Sequence, residues 1–304
     1  MLRISAIRDR QWGKGPMKKR IQVKMPAGEL QILYSPNWEY YSDGVCQRHL
    51  QLLFPHQGEP ARDYPLILLI PGSAWHKQEM YNDIPQYAAL AKLGFVVAAM
   101  EYRESELAPF PAQVEDVCHA LAYIPKIAEN FHIDTRRIFL MGNSSGAHIA
   151  MMAVLLCAHG LCGRLPPISG VIGQSGAMDL TICAQAPLPP WMRVRPTAAL
   201  LGLKQVEGQE TALRKASCPP YVTPDISLSP VLLIHGEKDP VVSVENSRAL
   251  YRALHTTGHR VEYYELTDCA AHGGGVFYEG RILNIIRDFC MRNGSPLPEE
   301  NCPG

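Results

Sequence analysis

RRIFLMGNSSGAHIAMMAVLLCA, residues 136–158, decides how this chain is read. An apolar strand candidate, Arg137–Met141, runs into Gly142-Asn143-Ser144-Ser145-Gly146. A stretch that is apolar nearly all round, 147–158, follows and reads as a helix buried on most of its sides. The order strand, G-x-S-x-G, helix is the context in which this motif carries chemistry. A serine on so tight a strand-to-helix turn needs very small neighbours two residues away on each side, hence Gly142 and Gly146. The turn lifts the Ser144 hydroxyl clear of the sheet and aims the N-terminal end of the next helix at it. Ser145 is also a hydroxyl, but the glycine spacing centres on Ser144.

Outward from this point, apolar strand blocks alternate with helical patterns. Strands are expected at Glu29–Tyr34, His49–Phe54, Leu66–Ile70, Phe95–Met100, Gly170–Gln174, Pro230–His235 and Val261–Leu266 as well. Continuous blocks such as LILLI and VVAAM suit strands covered on both faces of a mostly parallel sheet. Val114, Val117, Cys118 and Leu121 keep helical spacing, with Pro125 expected to kink or end that helix. Leu250, Tyr251 and Leu254 form a second stripe that Gly258 stops, and Ile282, Leu283, Ile285, Ile286 and Phe289 form a third. The fold class is therefore α/β, a doubly wound and mostly parallel sheet. Residues 177–229 break the rhythm with Pro187, Pro189, Pro190, Pro196, Pro219, Pro220 and Pro224. Too long for a simple connection, they read as a short cap-like insertion into one domain spanning 21–304. Residues 1–20 carry seven basic side chains against the single acid Asp9, without an apolar signal core, and read as a flexible basic arm or an upstream extension.

Composition narrows the function. The chain has 304 residues, 29 basic and 29 acidic side chains, and 47% apolar residues. Zero net charge gives no long-range attraction to nucleic acid or anionic membrane, and no apolar run reaches the ~18 residues of a membrane span. Nine cysteines without a C-x-x-C pair suggest reduced thiols and a cytoplasmic location.

A serine needs a base, and the base an orienting acid. HGEKDP (235–240) follows PVLLI and places Asp239 at a strand's C-terminal end; Glu237 competes but lies earlier in the turn. AAHGGG (270–275) places His272 in a glycine-rich loop after VEYYEL. The chain order Ser144, Asp239, His272 is that of the α/β hydrolases. Backbone donors for an oxyanion are expected from Ser145 and from PGSAW (71–75), where Gly72, Ser73 and Ala74 are small. Trp75 and Trp191 are candidate pocket walls, although Trp75 reads equally well as core. His255 and His259 have zinc-pair spacing, but Gly258 lies between them and no H-E-x-x-H glutamate is present, so no metal site is expected. Cys269 reads as a packing thiol, and Arg103 and Glu104, after the fourth strand, as candidates to touch substrate.

PGSAW, EYRESELAPFPAQVEDV (101–117), GNSSGAH (142–148), ASCPPYVTPD (216–225), HGEKDPVV (235–242) and AAHGG (270–274) together resemble the acetyl-esterase and feruloyl-esterase-like branch of the α/β hydrolases, near the hormone-sensitive-lipase family. The resemblance covers most of residues 65–275. It implies a serine carboxylesterase acting through an acyl-enzyme on small-molecule esters, without metal or cofactor, with oxyanion donors at Gly72 and Ser73 and also at Ala74. Two positions depart from the family. Pro71-Gly72-Ser73-Ala74 replaces H-G-G-G, and Asn143 stands where an aspartate is common. An amidase of the arylformamidase type with the same triad, and a catalytically silent binding protein on the same fold, are the alternative readings.

Overall fold

The computed structural model describes residues 30–56, 62–187 and 194–294. The basic segment 1–20 and Trp191 lie outside them. Every strand expected from the apolar blocks is present: β1 (Gln31–Ser42), β2 (Gln47–His56), β3 (Tyr64–Ile70), β4 (Val96–Met100), β5 (Ile133–Asn143), β6 (Gly170–Gln174), β7 (Val231–Gly236) and β8 (Val261–Leu266). They form one sheet in the order β1-β2-β4-β3-β5-β6-β7-β8. β1 pairs antiparallel with β2, and β2 with β4; from β4 to β8 all neighbours are parallel. β3 shows why the sheet is buried on both faces. Leu66, Leu68 and Ile70 join one apolar cluster, while Ile67 and Leu69 join the cluster on the opposite face. Strand alternation splits a continuous apolar run between two cores.

The helices divide accordingly. α2 (Ala112–Phe131), α3 (Ser145–Ala158) and α7 (Glu245–Thr256) contribute to the first cluster. α1 (Ile84–Ala91) and α8 (Gly280–Asn293) cover the other face. In α3 every residue from Ser145 to Leu156 is buried, as its all-round apolar composition requires. Between β6 and β7 lie three short helices, α4 (Leu180–Gln185), α5 (Pro196–Leu200) and α6 (Glu210–Lys215). Cys218 N–H to Met178 O at 2.8 Å closes this segment on itself, and Phe110 N–H to Leu200 O at 2.8 Å ties it to the body.

Two expectations are revised. Of the two outcomes expected at Pro125, a kink or an end, the helix does not end: α2 runs through it for 20 residues. Pro125 is exposed, whereas Leu121, Ile124, Ile127 and Phe131 on either side are buried, so burial of that stripe outweighs the ~3 kcal/mol cost of an interior proline. The cysteines are not all reduced either. Cys157 at the end of α3 and Cys162 are joined by a disulfide. The chain turns back through Gly160, at φ +68°, and brings their Cα atoms to 5.0 Å, within disulfide reach. The other described cysteines, Cys46, Cys118, Cys183, Cys218, Cys269 and Cys290, are free.

Candidate active site

β5 hands the chain to α3 through Ser144, whose φ of +53° and ψ of −123° lie where side chains are rarely found. A Cβ on Gly142 would collide with the Gly146 backbone, and one on Gly146 with Ile70 O of β3. The two glycines are therefore required by close backbone approach, and they let the turn close. Ser144 N–H donates to Gln174 O on β6 at 2.9 Å, which fastens the strained residue to the sheet.

The loops after β7 and β8 bring Asp239 and His272 to this turn. His272 Nε2 lies 2.9 Å from Ser144 Oγ, and His272 Nδ1 lies 2.8 Å from Asp239 Oδ2. Asp239 Oδ1 accepts from Val241 N–H at 2.8 Å and Val242 N–H at 3.0 Å. Burial raises the carboxyl pKa, but the hydrogen bonds from His235, His272 and Val241 N–H prevail and hold it well below the usual carboxylate range. Glu237 points elsewhere and accepts from Asp268 N–H at 3.0 Å.

His235, which the sequence reading passed over although it opens HGEKDP, is fully buried, with Nε2 3.3 Å from Asp239 Oδ2 and 3.0 Å from Val242 O, and Nδ1 2.7 Å from Ser247 Oγ. A histidine closing an apolar strand was the available signal.

The oxyanion loop differs from expectation. Gly72 N–H donates to Asn143 Oδ1 at 2.8 Å, and Ser73 N–H to Ser145 Oγ at 2.9 Å. Two of the four expected donors are thus committed within the protein. Among the described residues, the N–H groups of Ala74 and Ser145 have no such acceptor. Asn143 and the Ser145 hydroxyl are therefore ties for the loop. Tyr102, a third residue not foreseen, places its hydroxyl 2.8 Å from Ser73 Oγ and 3.0 Å from Pro71 O. Left-handed backbone falls on Ala74 (φ +53°) and Trp75 (φ +62°), not on Ser73.

Trp75 is a core residue and not a pocket wall: it is 3% exposed, and its indole N–H donates to His148 Nδ1 at 3.1 Å. That bond fixes the tautomer, so His148 Nε2–H donates to Ala216 O at 2.7 Å. His148 thereby joins the PGSAW loop, α3 and the segment after α6. Burial lowers its pKa to about 4. The unfolded chain takes up this proton below the ordinary 6.5, so the stability His148 supplies is complete above that pH and is lost as pH falls towards 4. We expect a loss of about 3 kcal/mol from this group between pH 7 and 4. Urea unfolding at both pH values should show a smaller acid loss in His148→Gln than in wild type; an equal loss refutes the assignment.

Other candidates sit apart from this chemistry. Arg103 binds Asp116 and Glu115. His259 Nε2 bonds to Thr223 O, and His255 packs against Tyr251. Among the described residues, one group of three metal-ligating side chains clusters, Cys118, Cys157 and Cys162.

A serine on a strained strand-to-helix turn, with acid and histidine following later parallel strands of a doubly covered sheet, defines an α/β-hydrolase. The BD-FAE family model matches residues 50–254, well over half of the chain, and the chain belongs to that family. Esterase LipQ of Mycobacterium tuberculosis is 27% identical over 218 residues, covering 68% of this chain and 50% of its own. The isoprenylcysteine α-carbonyl methylesterase ICME of Arabidopsis thaliana is 25% identical over 261 residues, 77% of this chain and 57% of its own. The chain thus spans about half the length of the curated relatives it matches. A truncated carbohydrate esterase from gut microbiota superposes with a TM-score of 0.74 at 24% identity, over 89% of this chain and 99% of that one.

Proposed function

We propose that this protein is a serine carboxylesterase that hydrolyses short-chain or small aromatic acyl esters, of acetyl or feruloyl type, including esters on sugars. The observation that carries this reading is the unbroken hydrogen-bonded line from Ser144 Oγ through His272 to Asp239. His272 Nε2 takes the Ser144 proton as Oγ attacks the ester carbonyl, and Asp239 holds the imidazole in the receptive tautomer and balances its positive charge. The backbone N–H groups of Ser145 and Ala74 are the donors free to hold the tetrahedral oxyanion. The alcohol leaves with the proton from His272. Water then enters by the same base catalysis and releases the acid.

The relatives support the bond type more than the groups it joins: one is named for a methyl ester of a modified cysteine, and a structural neighbour for carbohydrate esters. A small acyl group is favoured by the side chain of Ala74, which stands where the H-G-G-G pattern that this loop resembles has glycine. A panel of acetyl, butyryl, octanoyl and feruloyl esters with a formyl amide comparator tests this. Acetyl or feruloyl turnover should exceed octanoyl by roughly tenfold or more. Preference for octanoyl would remove the short-acyl reading, and faster formyl-amide cleavage would make the protein an amidase.

A further inference from the structure

Far from Ser144, at the opposite end of α3, three sulfurs come together. Cys118 on α2, Cys157 at the end of α3 and Cys162 in the following turn have Sγ atoms within 4.8 Å of one another. In the described state two of them form a disulfide and Cys118 is a free thiol. We propose that in the reduced protein these three cysteines form a binding site for a thiophilic, borderline-soft divalent ion of the zinc class.

Ligand type, spacing and access all fit. Cys157 and Cys162 are separated by four residues, within the C-x₂₋₄-C spacing of structural zinc sites. Thiolates at about 2.3 Å from a tetrahedral ion stand roughly 3.8 Å apart. Opening the disulfide lets its two sulfurs spread to that separation, and Cys118 already lies within reach. Three thiolates leave the fourth tetrahedral position to solvent. An entry path exists as well: a cavity of about 420 Å³ is lined by Cys157, Cys162, Gly163, Arg164, Leu165 and neighbouring residues.

The chemistry balances with a small-molecule thiol as reductant. Two equivalents of that thiol reduce Cys157–Cys162 to two thiols and are themselves oxidised to one disulfide. The ion then displaces the three S–H protons to solvent. The esterase reading plays no part in this argument, and its failure would leave the site untouched.

The test is titration of the full chain with zinc(II) against a chromophoric chelator after phosphine reduction, with cobalt(II) as spectroscopic probe. We expect one ion per reduced chain and a thiolate-to-cobalt charge-transfer band. Cys118→Ser and Cys157→Ser should each weaken binding at least tenfold, whereas Cys46→Ser should bind as wild type does. The oxidised wild-type chain, which keeps only Cys118 free here, should lose the site without any mutation. Absence of one-equivalent binding to the reduced chain, equal binding by the oxidised chain, or equal binding by Cys118→Ser overturns the proposal.

Discussion

Replacing Ser144 by alanine is expected to lower ester turnover by about 10⁴–10⁶-fold, the range seen when a triad loses its nucleophile. It should do so without unfolding the protein. Ser144 makes no side-chain cap to α3, and its tie to the sheet is the backbone N–H bond to Gln174 O, which alanine keeps. The methyl group can occupy the same strained backbone, because Cβ is already there. The thermal midpoint should thus stay within a few degrees of wild type, while a serine-reactive phosphonate that labels wild type leaves the variant unlabelled. Wild-type turnover by Ser144→Ala would remove Ser144 as nucleophile, and wild-type phosphonate inertness would revive the catalytically silent reading.

Asp239→Asn should cost about 10⁴-fold in kcat with little change in fold, for a reason the hydrogen bonds supply. Asp239 Oδ1 accepts from two backbone N–H groups, so an asparagine places its carbonyl oxygen there and its NH₂ toward His272 Nδ1. A donor now faces that nitrogen, which must become an acceptor. The ring proton moves to Nε2, the atom that should receive the Ser144 proton, and the base is blocked. The same NH₂ also faces the buried His235 Nε2, so some stability is lost as well. The measurement is kcat and KM on an acetyl ester beside urea unfolding. A loss in KM alone would mean that Asp239 shapes substrate binding and does not set the tautomer.

The fold was legible because burial on both faces of the sheet writes itself as uninterrupted apolar blocks: LILLI and VVAAM could hardly be anything else. The edges were less clear. β1 begins at Gln31 and extends to Ser42, well past the expected Tyr34, because an edge strand is half solvated and its residues alternate too weakly to mark an end. α1 has only eight residues and left no distinct stripe. Asp239 and His272 were legible from their places after successive strands, since a parallel sheet puts all its C-terminal ends on one rim. Which oxyanion N–H groups stay free was not. That depends on whether the Asn143 and Ser145 side chains reach back across more than 70 positions of sequence to Gly72 and Ser73, and only the packed turn decides it. Trp75 had two readings, and its partner His148, 73 residues away, made it core. The Cys157–Cys162 bond arises from a local turn through Gly160 that a count of cysteines cannot show.

The 128 residues separating Ser144 from His272 have a consequence for biosynthesis. The elbow, β3 and the oxyanion loop are all encoded upstream of β7, so a growing chain can complete them while still attached to the ribosome. The base arrives only when β8 and the loop after it have emerged and docked at the last parallel edge. Until then the serine stands without its histidine, and topology alone delays the completed relay until β8 and the loop after it have been made.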